Sequence, residues 1–208
     1  RARALGKQYF ISESERILKG EASMQKPEHC GSMMAAGMTG GAEAPLCPPL
    51  AQLKREHIPL YAQMNAFAQQ GANIGEDAAV ADWLPALQEL QREVAAFSEA
   101  LETHSEREEA HLFTVMARYI GRDVGPIAVM EYEHEQARIH LSRFLEAVNG
   151  ASGPIGADEA RDMAASAVQA QAVLTDHFYK EENVLFPMAE RMLSGQEKEA
   201  LASALGIG

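Results

Sequence analysis

The sequence predicts an all-α protein: an up-down-up-down four-helix bundle with an N-terminal extension and a short C-terminal helix. Three observations predict it. Between residues 50 and 192, apolar residues recur at helical spacing in four long segments. The breaks between these segments are short and carry Gly, Pro or Ser. No stretch shows the strict alternation of a half-buried strand. Long amphipathic helices with compact connections pack as antiparallel neighbours in a bundle.

The chain divides into three parts: an extension or linker over 1–49, the bundle over 50–192, and a short helix and tail over 193–208. Residues 1–19 hold a weak helical pattern, and 20–49 are rich in Gly, Ala, Met and Pro, which reads as a linker. The first bundle segment, about Leu50 to Gln70, carries Leu50, Leu53, Leu60, Met64 and Phe67 on one face, with Pro59 inside it as an expected kink. Gly71 to Val80 reads as a loop. The second runs from Asp82, a good N-cap, to Tyr119, with the stripe Leu87, Leu90, Val94, Phe97, Leu101, Leu112 and Val115. The third begins near Pro126, suited to a first helical turn, and ends at Asn149-Gly150. Its stripe is Ile127, Met130, Ala137, Leu141, Leu145 and Val148. The fourth runs from Asp158 to Met192, with the stripe Met163, Ala167, Ala170, Leu174, Leu185 and Met188, and Pro187 is expected to bend it. Ser194-x-x-Glu197 is a capping-box signal for a last helix through about Leu205.

Composition excludes some functions. Thirty acids against 18 bases give a formal net charge of −12, the opposite of the basic patch that nucleic acid requires. No apolar run approaches the roughly 18–20 residues of a membrane span. Arg1-Ala-Arg-Ala-Leu-Gly-Lys is basic but leads into no apolar signal core. Two cysteines, Cys30 and Cys47, are too few for a disulfide framework, so a cytoplasmic location is expected.

The chemistry lies in a repeat. His104-Ser-Glu-Arg-Glu108-Glu109-Ala-His-Leu112-Phe113 and His177-Phe-Tyr-Lys-Glu181-Glu182-Asn-Val-Leu185-Phe186 are both His-x3-Glu-Glu-x2-Leu-Phe. Residues four apart share a helix face, so each copy aims an imidazole and a carboxylate the same way. His57 and His134 interrupt the other two stripes. One histidine on an apolar face is usually a hydrogen-bonded core residue, and one His-x3-Glu pair is usually a surface pair. Here His57, His104, Glu108, His134, His177 and Glu181 all point into one interior, where carboxylates are costly unless paired or bound to metal. At a helical rise of about 1.5 Å per residue they can meet at one depth.

Four imidazoles and two carboxylates exceed one structural zinc, which takes about four ligands. They suit two metals, with Glu108 and Glu181 bridging and two imidazoles on each ion. The donors include no soft sulfur, which disfavours copper(I) and iron–sulfur clusters. Two iron ions fit best, with manganese and zinc as alternatives. Two carboxylates balance too little charge for two such ions, so an oxide or hydroxide bridge is expected. Six ligands leave open positions for a small molecule such as O2, NO or peroxide, or for metal transfer.

From about Leu50 to Met192 the chain resembles the hemerythrin-like, HHE cation-binding domains, on His57, His104 with Glu108, His134, and His177 with Glu181. The resemblance implies a four-helix bundle with a non-haem di-iron centre. Gly125-Pro-Ile-Ala-Val-Met-Glu-Tyr-Glu-His134-Glu and Glu181-Glu-Asn-Val-Leu-Phe-Pro187 look like the bacterial iron–sulfur cluster repair family. That likeness implies a role in recovery of iron centres after nitrosative and oxidative stress, with damaged iron–sulfur proteins as partners. Oxygen-carrying hemerythrins have a second histidine where this chain has Arg138, and a longer His-to-Asp spacing than His177-x3-Glu181. The repair family usually has adjacent cysteines in a small N-terminal domain, where this chain has the distant Cys30 and Cys47.

Three functions remain open at this point: repair or supply of iron centres, binding or sensing of O2, NO or iron, and reduction of NO or peroxide by an outside electron donor. Around the site, Tyr61 is read as a core tyrosine or a hydrogen-bond donor, and Arg138 as a solvated charge or a partner for a carboxylate. Glu109 and Glu182 point about 100° away from the ligands, which suits surface or supporting roles. His111 can lie two turns from His104, and His140 is expected at the surface. His29, Cys30, Met24, Met33, Met34 and Met38 read as linker or lid, ahead of a copper(I) site.

Overall fold

The structure, a computed structural model, describes residues 45–207. The helical pattern at 1–19, most of the linker and the cluster of His29, Cys30 and methionines lie outside them. All regular structure among the described residues is helical. The order is α1 (Pro48–Asn73), α2 (Leu84–Arg107), a π-helical segment (Glu108–Phe113), α3 (Thr114–Ile120), α4 (Pro126–Gly150), α5 (Ala157–Lys180), a second π-helical segment (Glu181–Leu185), α6 (Phe186–Met192) and α7 (Gly195–Ala204). The stretch from α2 through α3 is one unbroken rod, as is the stretch from α5 through α6. With α1 and α4 they form the four staves. Each stave packs on the next, and the fourth returns against the first. None of these helices is long and apolar enough to cross a membrane.

The ends follow from local chemistry. The N-cap of α2 is Trp83, one residue beyond the expected Asp82, but Asp82 still accepts hydrogen bonds from the backbone N–H of Leu84 and of Ile155, 3.0 Å each, so one carboxylate serves the start of α2 and ties down the α4–α5 loop. At α7 the capping box of Ser194 and Glu197 forms. α1 runs through Pro59, which is exposed, so water can replace the bond its ring removes. α1 also runs past Gly71, read from sequence as loop. Gly71 is buried, and a Cβ there would stand 3.3 Å from Val168 Cγ2, so its bareness lets α1 approach α5. The turn comes at Gly75, whose φ of +81° and 2.6 Å gap from a would-be Cβ to the Ala157 carbonyl exclude larger residues.

The core is two apolar clusters with a polar layer between them. One contains Met64, Phe67, Phe97, Phe144 and Leu174. The other contains Leu53, Phe113, Met116, Met130 and Phe186, closed over by Leu201 and Leu205 from the C-terminal segment. The small residues Ala160, Ala164, Ala167 and Ala170 are buried along α5. Four expected core positions shift by one, the first being Met163, which is partly buried beside a buried Ala164. In the others, Met116, Ala189 and Phe144 are buried where Val115, Met188 and Leu145 were expected, and the expected residues are only partly buried. The shifts at Met116 and Ala189 follow the π segments, because a π turn takes about one residue more than an α turn and rotates the stripe beyond it.

Candidate metal centre

The polar layer holds the six residues that the sequence singles out. His57, His104, Glu108, His134, His177 and Glu181 are all at most 3% exposed. Each falls between a residue of one apolar cluster and a residue of the other, as His57 does between Leu53 and Leu60. They sort into two overlapping groups, each with ligand atoms within 4.8 Å of one another. One is His57, His104, Glu108 and Glu181, and the other is Glu108, His134, His177 and Glu181. The two glutamates belong to both groups. The histidine pairing, which spacing alone leaves open, is His57 with His104 and His134 with His177.

Each imidazole is oriented by a carboxylate from another stave. Nδ1 of His57 meets Glu182 at 2.8 Å, and Nδ1 of His134 meets Glu109 at 2.7 Å. Nδ1 of His104 meets Glu56 at 3.0 Å, and Nδ1 of His177 meets Glu133 at 3.3 Å. Each carboxylate is in turn held by a cation: Lys54 on Glu182, Arg107 on Glu56, Arg138 on Glu109 and Lys180 on Glu133. The internal duplication therefore extends beyond the repeat. Glu56-His57 corresponds to Glu133-His134, and Arg107 to Lys180. The sequence reading missed Glu56 and Glu133. Their signal is the Glu-His pair at the same place in both halves.

These bonds fix the tautomers. An Nδ1–H donated to a carboxylate leaves Nε2 with a bare lone pair. Nε2 of His57 and Nε2 of His104 nonetheless lie 3.1 Å apart. Two acceptors cannot bond to each other, and their common need is a cation between them and the glutamates. Glu181 lies 3.3 Å from both His57 and His177, and Glu108 lies 3.4 Å from His104 and 3.6 Å from His134. Both oxygens of each glutamate, and Nε2 of His134 and His177, are buried without a hydrogen-bond partner. A hydrogen-bonded polar core would not leave that remainder. Oxygen and imidazole donors of this kind suit iron, manganese or zinc.

Electrostatics agree. Burial, with the Glu181 carboxylate beside it, pushes Glu108 well above its usual range. Burial also opposes ionisation of Glu181, but His177 and His57 outweigh it and hold this carboxyl well below its usual range. Burial would depress His177, yet Glu181 and Glu133 raise it to about 9. Burial lowers His104 and His134 despite their carboxylate partners. Without a cation the cluster thus keeps protons on Glu108 and His177, which are the protons a metal would displace.

The neighbours divide. Arg138, read first as a solvated charge, binds Glu109 at 3.0 Å and Glu102 at 2.9 Å. Tyr61 is half-buried, edge-on to both His57 and Phe178. His140, expected at the surface, is half-buried with a buried Nδ1. His111 lies within the first π segment and is half-buried. Cys47 carries a free thiol, and its N–H donates to Glu190 at 2.6 Å. Cys30 lies outside the described residues.

Residues 49–189 match the hemerythrin HHE cation-binding domain. The chain is similar to two proteins named iron-sulfur cluster repair protein YtfE. It is 32% identical to that of Pectobacterium atrosepticum over 104 residues, covering 49% of this chain and 47% of the relative. It is 31% identical to that of Pectobacterium carotovorum over the same length and shares. The chain thus spans about half the length of the curated relatives it matches.

Proposed function

The chain belongs to the hemerythrin HHE cation-binding domain family, and from that premise we propose a non-haem di-iron protein that serves in repair of iron centres under nitrosative or oxidative stress. His57 and His104 would hold one ion and His134 and His177 the other, with Glu108 and Glu181 shared and an oxide or hydroxide completing the charge balance. The observation that carries this reading is the pair of bare Nε2 atoms 3.1 Å apart above shared, unpartnered carboxylates.

Bound iron would supply one-electron chemistry and open positions for a small molecule. The chain's own residues do the rest. Glu182, Glu56, Glu109 and Glu133 keep the four rings in the ligating tautomer. The two apolar clusters exclude water from above and below. The likeness to the two YtfE proteins supports repair, with damaged iron–sulfur proteins as targets, and the open positions that six ligands leave suit O2 or NO as small-molecule partners. A cytoplasmic site of action suits the sparse cysteines. A second reading, an O2, NO or iron sensor without repair activity, is favoured by the six-ligand count, which leaves both ions accessible to an added ligand.

Iron analysis after anaerobic loading is the first test, with two ions per chain expected and fewer than one overturning the centre. Incubation of loaded protein with a nitric-oxide-damaged iron–sulfur enzyme separates the two readings. Recovery of that enzyme together with iron loss from this chain supports donation for repair. No recovery, with a reversible spectral change on NO, supports the sensor.

A further inference from the structure

The duplication makes the two halves of the centre near copies, but their outer partners differ. In one half, Lys180 binds Glu133, which meets His177. In the other, Arg107 binds Glu56, which meets His104, and its second guanidinium nitrogen donates to the backbone carbonyl of Leu205 at 3.0 Å. No second partner of this kind is found for Lys180 among the described residues. A compact ammonium suits a single contact, whereas a planar guanidinium can serve two acceptors at once. Arg107 therefore spans from the C-terminal segment to the carboxylate that orients a ligand.

That span borders an open groove. Between α1 and α2 lies a cleft of about 320 Å³ lined by Glu56, Pro59, Leu60, Thr103, His104 and Arg107. His104, one of the six buried cluster residues, thus forms part of a surface groove, with Glu56 and Arg107 beside it. Gln63 and Thr103 also line it, but Glu56 is the one carboxylate in the lining, so a cation crossing the groove meets Glu56 as its anionic donor. Glu56 is already committed: to His104 Nδ1 through one oxygen, and to Arg107 and Gln52 through the other.

Resting on the di-iron reading above, we propose that the ion of the His57–His104 half exchanges through the α1–α2 groove, with Arg107 as the gate and Glu56 as the transfer ligand. While Arg107 holds Glu56 and the Leu205 carbonyl, Glu56 stays on His104 and the groove ends in a closed ion pair. When Arg107 withdraws, the same carboxylate is free to turn from the imidazole to the departing or arriving cation. Among the described residues Lys180 has no such backbone anchor, and on this account the ion of the His134–His177 half is the retained one. Arg107 is on this account a positioning residue that sets which ion leaves first.

The test uses the full chain loaded anaerobically with ferrous iron and mixed with excess coloured ferrous chelator in a stopped-flow instrument. Release is expected in two phases. R107A and R107Q should speed the first phase at least ten-fold and leave the second within two-fold. R107K keeps the charge but cannot span both acceptors in one plane, and should fall between. K180A, the matching change in the other half, should leave the first phase within two-fold. Circular dichroism and equal iron content at the start show that folding and loading are intact. Unchanged release in R107A, R107Q and R107K, or equal acceleration by K180A, overturns the gate while leaving the di-iron reading standing. A wild-type chain that takes up no iron overturns that reading and the gate together.

Discussion

His57 and His104 face each other with Nε2 atoms 3.1 Å apart, while their Nδ1 atoms are committed to Glu182 and Glu56. Their lone pairs converge on a point that Glu181 and Glu108 also face. This is an arrangement that costs stability in an empty protein and is relieved by a cation.

Removal of the shared carboxylates tests this cost from both sides. E108A with E181A is expected to reduce bound iron to less than roughly a tenth of the wild-type content. E108L should abolish binding yet raise the melting midpoint of the metal-free chain, on the order of 5 °C, because an apolar side chain replaces a buried ionisable one. Iron content and thermal melts in excess chelator measure both effects.

The carboxylates behind the imidazoles are expected to tune affinity. E182Q or E109Q keeps the shape but removes the charge that orients His57 or His134. Iron affinity should fall about 10–100-fold, the usual consequence of losing such a partner. K54A removes only the exposed cation on Glu182, 3.5 Å away, and should change affinity less than about three-fold. Competition against a chelator of known affinity separates these outcomes.

The metal-free chain should lose stability as the medium becomes alkaline. His177 is raised from its ordinary 6.5 to about 9 in the fold. Its contribution is therefore full below pH 6.5 and is lost as pH rises through about 9. Glu108, raised by burial, acts in the same direction, because its ionisation in place is unfavourable. Glu181, held low, contributes above its ordinary 4.5 and is lost only on acidification. The melting midpoint in chelator should thus fall from pH 6.5 to 9. The iron-loaded chain should lack that fall, since its ligands are already deprotonated.

Asp82 offers a control away from the centre. D82A removes the acceptor for the Leu84 and Ile155 N–H groups. A lower midpoint in chemical denaturation is expected, with iron content unchanged.

Much of this architecture was legible from the sequence because burial leaves a periodic trace. Leu50, Leu53, Leu60, Met64 and Phe67 mark α1, and a histidine breaking each of four such stripes marks the polar layer. Glu56 and Glu133 were not legible, because a charge beside a ligand on a helix looks the same whether it faces water or a neighbouring stave. The histidine pairing depends on which staves touch, which no single stripe records. The π segments were also hidden: Glu-Glu-x2-Leu-Phe suits an α-turn equally well. Their trace is that Leu112 with Phe113, and Leu185 with Phe186, are adjacent and both buried, which an α-helical face accommodates poorly.

The layered core bears on how the molecule comes apart. Phe67, Phe97 and Phe144 belong to one apolar body and Phe113, Phe186 and Leu201 to another. Between them runs a full cross-section of rings and carboxylates that give little cohesion of their own. In the metal-free chain that cross-section is expected to act as a seam, with the end carrying the C-terminal helix opening first as its own cooperative unit. Cations held jointly by all four staves would close the seam and merge the units. Amide hydrogen exchange should then slow at Leu112–Met116 and Leu185–Ala189 on loading, with far less change around Phe67 and Phe97.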